Sequence, residues 1–445
     1  MANTKLTRTF GSGGSGTKWT LSAWIKRSAT GIDQYIMSRY VTANKYVKIL
    51  FNDQDTLEYS VYNNNAGGYQ GRYKTTAKYR DTSAWYHIVI AQDTSLGTAA
   101  DRVKFYINGE LITSFGTNSQ LGQNVNGDFN TATPHQIGAY NSTNYFQGSM
   151  SHFHFCDNQQ YAASYFGSVD SVTGEWKINT SPSVNYGTTG FLVLKDGTTV
   201  TDQSSNSNNW SVGSGTLTKT QDCPSNVFAT WNSLDRYYTQ AIFSNGNATV
   251  QTPNASETYC TSTLGMSSGK YYMEVRTYDG SNQDNIGIVD SVATANNGSN
   301  NTYQKPYAWV YRSAGNVFNN DNNLGGTFAS YQSNHNIMVA VDLDNNKIYF
   351  GKDGTWQNSG NPASGSTGTG GFSITASSSL PNGCYFFTVG DNTTGDDTTY
   401  RGNFGNGHFG STAISSAGTN ASGNGIFEYD VPSGYTALST KGLNL

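Results

Sequence analysis

Six glutamates, Glu58, Glu110, Glu175, Glu257, Glu274 and Glu428, restrict the carboxylate chemistry open to this chain. Sugar hydrolysis needs two carboxyl groups held across one cleft. A strand-borne Glu-x-Asp-x-x-Glu would aim three carboxylates at one sugar, because alternate strand residues share a face. Only Glu428 has an aspartate two residues on, Asp430, and position 433 is Ser433. That arrangement is therefore absent.

Two Asp-x-Asp pairs remain, Asp53/Asp55 and Asp342/Asp344. Each puts two carboxylates on one strand face, where they could share a hard cation such as calcium. The alternative is that they flank turns and bond the backbone. His152 and His154 also share a strand face. A His-x-His pair can chelate a transition metal but needs a third ligand, and none is identifiable. His87, inside Trp85-Tyr-His-Ile-Val-Ile-Ala-Gln-Asp93, reads as a packed, hydrogen-bonded histidine, with a general base as the alternative. No metal or cofactor is expected, calcium at an Asp-x-Asp pair being the one exception to test.

The elements that must position these groups are strands. Charged residues make up only 13% of the chain, while glycine (50) and tyrosine (30) are abundant. No stretch sustains a period of 3.6 residues, and turn residues recur every 8–12 positions, the pattern of an all-β protein. A net charge of −4 gives no electrostatic footprint for nucleic acid. No apolar run reaches the length of a membrane span, and the first residues show no apolar signal-peptide core. Cys156, Cys223, Cys260 and Cys384 lie too far apart for a Cys-x-x-Cys zinc pattern and are expected as free thiols.

Strand signals run through Trp19-Thr-Leu-Ser-Ala-Trp-Ile25, with Trp19, Leu21 and Ala23 on one face and Trp24 on the other. Others follow at 46–51, 56–62, 85–91, 103–107, 136–139 and 148–155. Val103–Ile107 enters Asn108-Gly109, a strong hairpin-turn signal. Arg72-Tyr-Lys-Thr-Thr-Ala-Lys-Tyr-Arg80 is the one basic cluster. It reads either as a solvated loop or as a surface for an anionic partner such as acidic polysaccharide. The ordered signatures at Trp19, Trp85, Val103 and Ile137–Phe155 together resemble LamG/concanavalin A-like jelly-roll domains.

Residues 270–275, 285–289, 307–311 and 383–389 continue the strand pattern. Asn336–Asp342, the turn Asp344-Asn345-Asn346, Lys347–Phe350 and Gly351-Lys-Asp-Gly-Thr-Trp356 resemble the central hairpin of SPRY domains, β-sandwich modules that bind and do not catalyse. The tail Phe427–Tyr435 is expected to close that sandwich as a strand. Ser359–Gly371, nearly all Gly, Ser and Thr, is expected as an exposed loop. The expected fold is thus all-β. It comprises two antiparallel β-sandwiches, a LamG/concanavalin A-like jelly roll over 1–195 and a SPRY-like sandwich over 241–445, joined by an ordered linker, 196–240.

Within that linker, Asp202…Ser204-Ser205-Asn206…Asn209-Trp210, Asp222-Cys223-Pro224-Ser225-Asn226 and Trp231-Asn232 resemble the connector of tailed-phage virion proteins that combine these two domain types. Cys223 stands where that pattern has Thr, and Leu234 lacks the following Pro. The resemblance implies a non-catalytic virion appendage or capsid decoration, made in the host cytoplasm. Its partners would be other capsid or tail proteins, further copies of itself (a trimer is common for such appendages) and a host-surface glycan or protein reached by loops at the sandwich ends. A polysaccharide-degrading virion enzyme and a non-viral lectin or adhesin are the alternatives. Trp210, Trp309, Tyr311 and Trp356 are the candidate exposed aromatic contacts. Tyrosines over 59–79 and 303–311 are divided between core and surface.

Overall fold

The computed structural model describes residues 3–195, 200–236, 241–252, 258–278, 283–290, 301–392 and 397–444. The chain divides into two compact units, 1–219 and 220–445. Among the described residues both are built from antiparallel sheets, with short 3-10 turns as their helical elements. Among the described residues no helix is long and apolar enough to cross a membrane.

In the first unit an eight-stranded sheet faces a six-stranded one. The larger runs Phe115–Ser119, Gly68–Lys78, Thr56–Asn63, Lys45–Phe51, Gln34–Thr42, Pro134–Ile137, Lys5–Thr9 and Ser211–Ser214. The smaller runs Phe191–Val193, Gly148–Asp157, Lys18–Arg27, Trp85–Asp93, Val103–Ile107 and Glu110–Leu111. Alternation decides which side chains meet between them. Trp19, Leu21, Ala23 and Ile25 come from one sheet and Val47, Ile49, Phe51, Leu57, Tyr59 and Val61 from the other, all in one core. Trp24 points to the opposite face and stacks on His87, ring centroids 4.9 Å apart. The Asn108-Gly109 turn follows Val103–Ile107 as read, with both residues at positive φ (47° and 85°).

The second unit pairs Asn336–Asp342 with Lys347–Lys352 in the expected hairpin, Val339 opposite Phe350 and Val341 opposite Ile348. Asn346 takes the left-handed turn conformation, φ 53°, that a short Asx side chain tolerates. Val339 and Val341 meet Ile286, Ile288, Val389 and Phe387 of the facing sheet in a second core.

Three expectations need revision. The segment read as a linker is shared between the units: Ser211–Ser214 is an edge strand beside Lys5–Thr9, whereas Trp231 is buried in the second core. Positions 196–199 and 237–240 of it lie outside the described residues. The tail 427–435 is not a strand. Phe427, Val431 and Tyr435 lie across the outer face of a sheet, against Tyr272, Met338 and Tyr349. Its backbone is held by a side chain, because Glu274 accepts the N–H groups of Glu428 (2.9 Å) and Tyr429 (2.8 Å). Only Thr436–Ala437 pairs, in parallel, with Lys270–Tyr278. Finally, Ser359–Gly371 contains short 3-10 turns on either side of a kink at Gly365, and the carbonyl of buried Pro362 accepts from the Tyr435 hydroxyl at 3.1 Å. Tertiary hydrogen bonds order a segment whose composition suggests only a loop.

Candidate functional site

Three of the four Asp-x-Asp carboxylates, those of Asp55, Asp342 and Asp344, are engaged. Asp55 is buried and accepts from Arg27 (2.9 Å), Arg80 (3.1 Å) and the Gly31 N–H (2.8 Å). Burial pushes its pKa up, but the Gly31 N–H and the Arg27 guanidinium outweigh it and hold the carboxyl below its ordinary value. Asp342 accepts from Lys270 (3.0 Å) and from the backbone and side chain of Asn345 (2.9 and 2.8 Å). Asp344 takes the Gly269 N–H at 2.9 Å. Asp342 and Asp344 thus bond backbone N–H groups at turns, whereas Asp55 is the acid of a buried ion pair. Among the described residues, no group of three potential metal ligands converges.

The histidines are packed. Phe153 and Phe155 enter the core, and His152 and His154 lie on the outer face, with a bulge between Ser151 and His154. His87 is fully buried between Ser22 and Trp176. Trp176 Nε1 can only donate, so His87 Nδ1 accepts (3.0 Å) and its proton sits on Nε2, directed at Ser22 Oγ (2.9 Å). That tautomer donates to the serine and cannot take its proton. Burial lowers the His87 pKa to about 3, which keeps the ring neutral. Gly265-Met-Ser-Ser-Gly269 has the Gly-x-Ser-x-Gly spacing, a signal missing from the motif reading above. It leads into the Lys270–Tyr278 strand, not into a helix, so the strand-to-helix elbow that exposes such a serine is absent.

Of the four candidate aromatics, three are not exposed. Trp210 packs on Phe191 (5.0 Å) and Phe10 in the first core. Trp309 and Tyr311 both point into the second core, against Tyr385 and Tyr331 respectively. Ala308 and Val310 beside them are buried as well, so both faces of that strand are interior. Trp356 is half-buried beside Tyr272.

A partly exposed aromatic row lies on the outer face of the eight-stranded sheet. Val47, Ile49, Tyr59, Val61 and Tyr73 point inward, so their neighbours along each strand point out. Register aligns these neighbours into rows. Tyr40 pairs with Tyr46, Tyr46 with Tyr62, and Tyr62 with Tyr69: four phenols on four adjacent strands. At the spacing of hydrogen-bonded strands the row is about 14 Å long. Tyr46 and Tyr62 stack face to face (5.0 Å, 12°), Tyr69 meets Tyr62 edge-on (5.0 Å), and Tyr140 sits edge-on to Tyr40 and Tyr46. Tyr69 is 41% exposed, and Tyr40, Tyr46, Tyr62 and Tyr140 are half-buried.

Two residues along the strands runs a second row, Ser38, Lys48, Ser60 and Arg72. The Lys48 ammonium lies 5.4–5.7 Å from the ring centres of Tyr46, Tyr35 and Tyr140. The Arg72 guanidinium covers Tyr69 at 4.7 Å. In a third row, buried Glu58 bonds Arg72 (3.0 Å) and lies 3.5 Å from Lys74. Burial raises its pKa, but the Ser60 hydroxyl and Arg72 reverse that and keep it below its ordinary value. Burial raises the Tyr140 pKa to about 12, so the phenol stays neutral. This face presents phenol edges and fixed cations in register, the Tyr46 and Tyr62 rings packing on each other and the Tyr69 ring lying under Arg72. The sequence shows the tyrosines, but their alignment depends on cross-strand register, which local patterns do not encode.

Residues 5–164 match the family described as the concanavalin A-like lectin/glucanases superfamily (Laminin_G_3). All four tyrosines of the row and Lys48 and Arg72 fall inside that span. Solved structures with similar architecture include the SPRY domain of human HERC1 (15% identity over 38% of this chain and 96% of that one, TM-score 0.29). The PSpry domain of TRIM65 is similar at 12% identity (39% and 91% covered, TM-score 0.28). So is the native heptameric SAP-like pentraxin from Limulus polyphemus, at 13% (48% and 90%, TM-score 0.27). No curated protein has a matching sequence.

Proposed function

We propose that this chain is a non-catalytic carbohydrate-binding protein whose first, lectin-like unit takes a glycan on the Tyr40–Tyr46–Tyr62–Tyr69 row. The observation that carries this reading is the alignment of four outward phenols across four strands. Tyrosine combines a large apolar body with a polar tip, which suits stacking on a sugar ring while bonding its hydroxyls. A sheet face places the rings more rigidly than loops at the sandwich ends would.

The setting we propose is a tailed-phage particle, where the chain is an appendage or decoration of the capsid or tail. Its partners there would be other virion proteins, two further copies of itself in a trimer, and the glycan or protein of the host surface. The support is the connector wording from Asp202 to Trp231 together with the lectin-like unit before it.

Binding of the purified chain to an array of bacterial surface polysaccharides tests the first part. Tyr46→Ala and Tyr62→Ala are each expected to weaken binding by about two- to tenfold, since aromatic contacts are worth about 0.5–1.5 kcal/mol and the neighbouring ring loses its partner too. Retained affinity in both variants would remove the tyrosine row from the proposal. Sustained release of reducing ends, abolished by a carboxylate substitution, would make the protein a polysaccharide-degrading enzyme instead. Proteomics of purified particles tests the setting, and a cell-surface location without particles would favour a non-viral adhesin.

A further inference from the structure

The geometry points to an anionic ligand for this same face: a linear polysaccharide carrying one carboxylate per disaccharide, lying along the tyrosine row. This rests on the glycan-binding reading above and specifies its substrate class. Three cations, Lys48, Arg72 and Lys74, share the outer face with one carboxylate, Glu58. At the rims, Asp33 accepts from Tyr35 Oη (3.1 Å), and Asp128 pairs with Arg39 (3.3 Å) and Lys45 (3.7 Å). The face therefore keeps an excess of positive charge at its centre.

Lys48 makes that excess available. Among the described residues no carboxylate lies within ion-pair distance of its ammonium, and three phenol rings hold it in place. Arg72 uses Nε for Glu58 and keeps its two terminal nitrogens for other acceptors. Such groups make strong charge-assisted bonds to carboxylates.

Spacing then selects the polymer. The cationic row runs parallel to the tyrosine row, displaced by two residues, about 7 Å along the strands. Lys48 and Arg72 stand on strands separated by one other strand, so their backbones lie about 10 Å apart. That is close to the length of two equatorially linked pyranose rings. A chain lying across the edges of the tyrosine row would present an acid group to Lys48 and, one disaccharide later, another to Arg72.

The test uses the full chain and three defined oligosaccharides: an alternating glucuronate/N-acetylglucosamine oligomer, an oligogalacturonate charged on every ring, and a neutral chitin oligomer. The alternating oligomer is expected to bind at least tenfold more tightly than the neutral one. Its affinity should fall as salt rises from about 0.05 to about 0.5 M, because exposed charges are screened over that range. Lys48→Met should lose about tenfold on the alternating oligomer and nothing on the neutral one, and Lys48→Arg should restore binding. Equal binding of neutral and anionic oligomers, indifferent to Lys48→Met, would overturn the anionic inference and leave glycan binding standing. Oligogalacturonate binding as tightly as the alternating oligomer would overturn the spacing argument. No binding of any of the three, with tyrosine variants silent on a polysaccharide array, would overturn both readings.

Discussion

Asp55→Asn is expected to lower the melting transition of the first unit by about 10 °C, corresponding to about 3–5 kcal/mol for breaking one partner out of a buried ion pair. Asparagine keeps the size of the side chain and tolerates the left-handed conformation at this position, φ 66°, so backbone strain is not the cause. What changes is Arg27. Its side chain is fully buried and is satisfied by Asp55, the Gln34 side chain (3.3 Å) and the Tyr79 carbonyl, with Phe51 beneath it at 4.6 Å. Burial already lowers the Arg27 pKa, and Asp55 is its principal compensation. Removing the charge at 55 strands a guanidinium in the interior. The double variant Arg27→Met/Asp55→Asn should recover part of the loss, because a buried pair can often be exchanged for apolar side chains at little net cost. Calorimetry decides: an unchanged transition for Asp55→Asn would mean that Arg80 and the backbone alone carry this corner. The same experiment separates structure from metal binding, since a calcium-dependent transition lost with Asp55 would reinstate the cation.

The second large effect is on pH. Glu274 is fully buried in the second unit, and burial raises its pKa to about 7 against the opposing pull of Tyr272 Oη, Asn403 Nδ2 and the Glu428 and Tyr429 N–H groups. In the unfolded chain it titrates near its ordinary 4.5. Between those values the unfolded state has released a proton that the folded state still holds. Stability of the second unit is therefore full below about pH 4.5, falls as pH rises to about 7, and is level above it. The loss is about 3 kcal/mol.

The first unit responds in the opposite sense. Burial lowers the pKa of His87 and His135 to about 3, and burial also drives His154 well below its ordinary value. Unfolding lets all three take up protons below about pH 6.5, so the first unit weakens as pH falls from there. Two calorimetric transitions should thus move apart in opposite directions between pH 7 and pH 4.5. In Glu274→Gln the second transition should be lower throughout, because an amide N–H₂ faces donors, and should lose its dependence on pH. A wild-type second transition that stays flat across this range would refute the assignment.

Local patterns resolved much of this architecture and less of its surface. The hairpins at Asn108-Gly109 and Asn346 were legible because turn chemistry and strand period agree there. Trp19, Leu21 and Ala23 fell on the core face because alternation in that strand is clean. Trp309 and Tyr311 were misplaced for a physical reason: Val310 between them is also buried, so alternation there distinguishes two interiors rather than inside from outside. Trp210 sits in a stretch of Ser and Asn, yet its side chain closes the core beside Phe10 and Phe191. The tyrosine row needed long-range register, set partly by the bulge between Val61 and Tyr62, which no short window contains.

The pairing of the entering and leaving segments within each unit sets how each would respond to force. In the first unit Lys5 lies opposite Ser214 and Thr7 opposite Ser211, so the chain enters and leaves at the same end of an antiparallel ladder. In the second, Ala229 donates to the Leu438 carbonyl and Thr440 to that of Val227, again bringing entry beside exit. Tension applied through the two ends of either unit would load these hydrogen bonds one after another, as a zipper opens, and not all together as in a sheared pair. In the first unit Ser211–Ser214 would peel away early. The strands Lys5–Thr9 and Pro134–Ile137 would still separate that damage from the tyrosine face, so the edge could extend while that face stayed assembled.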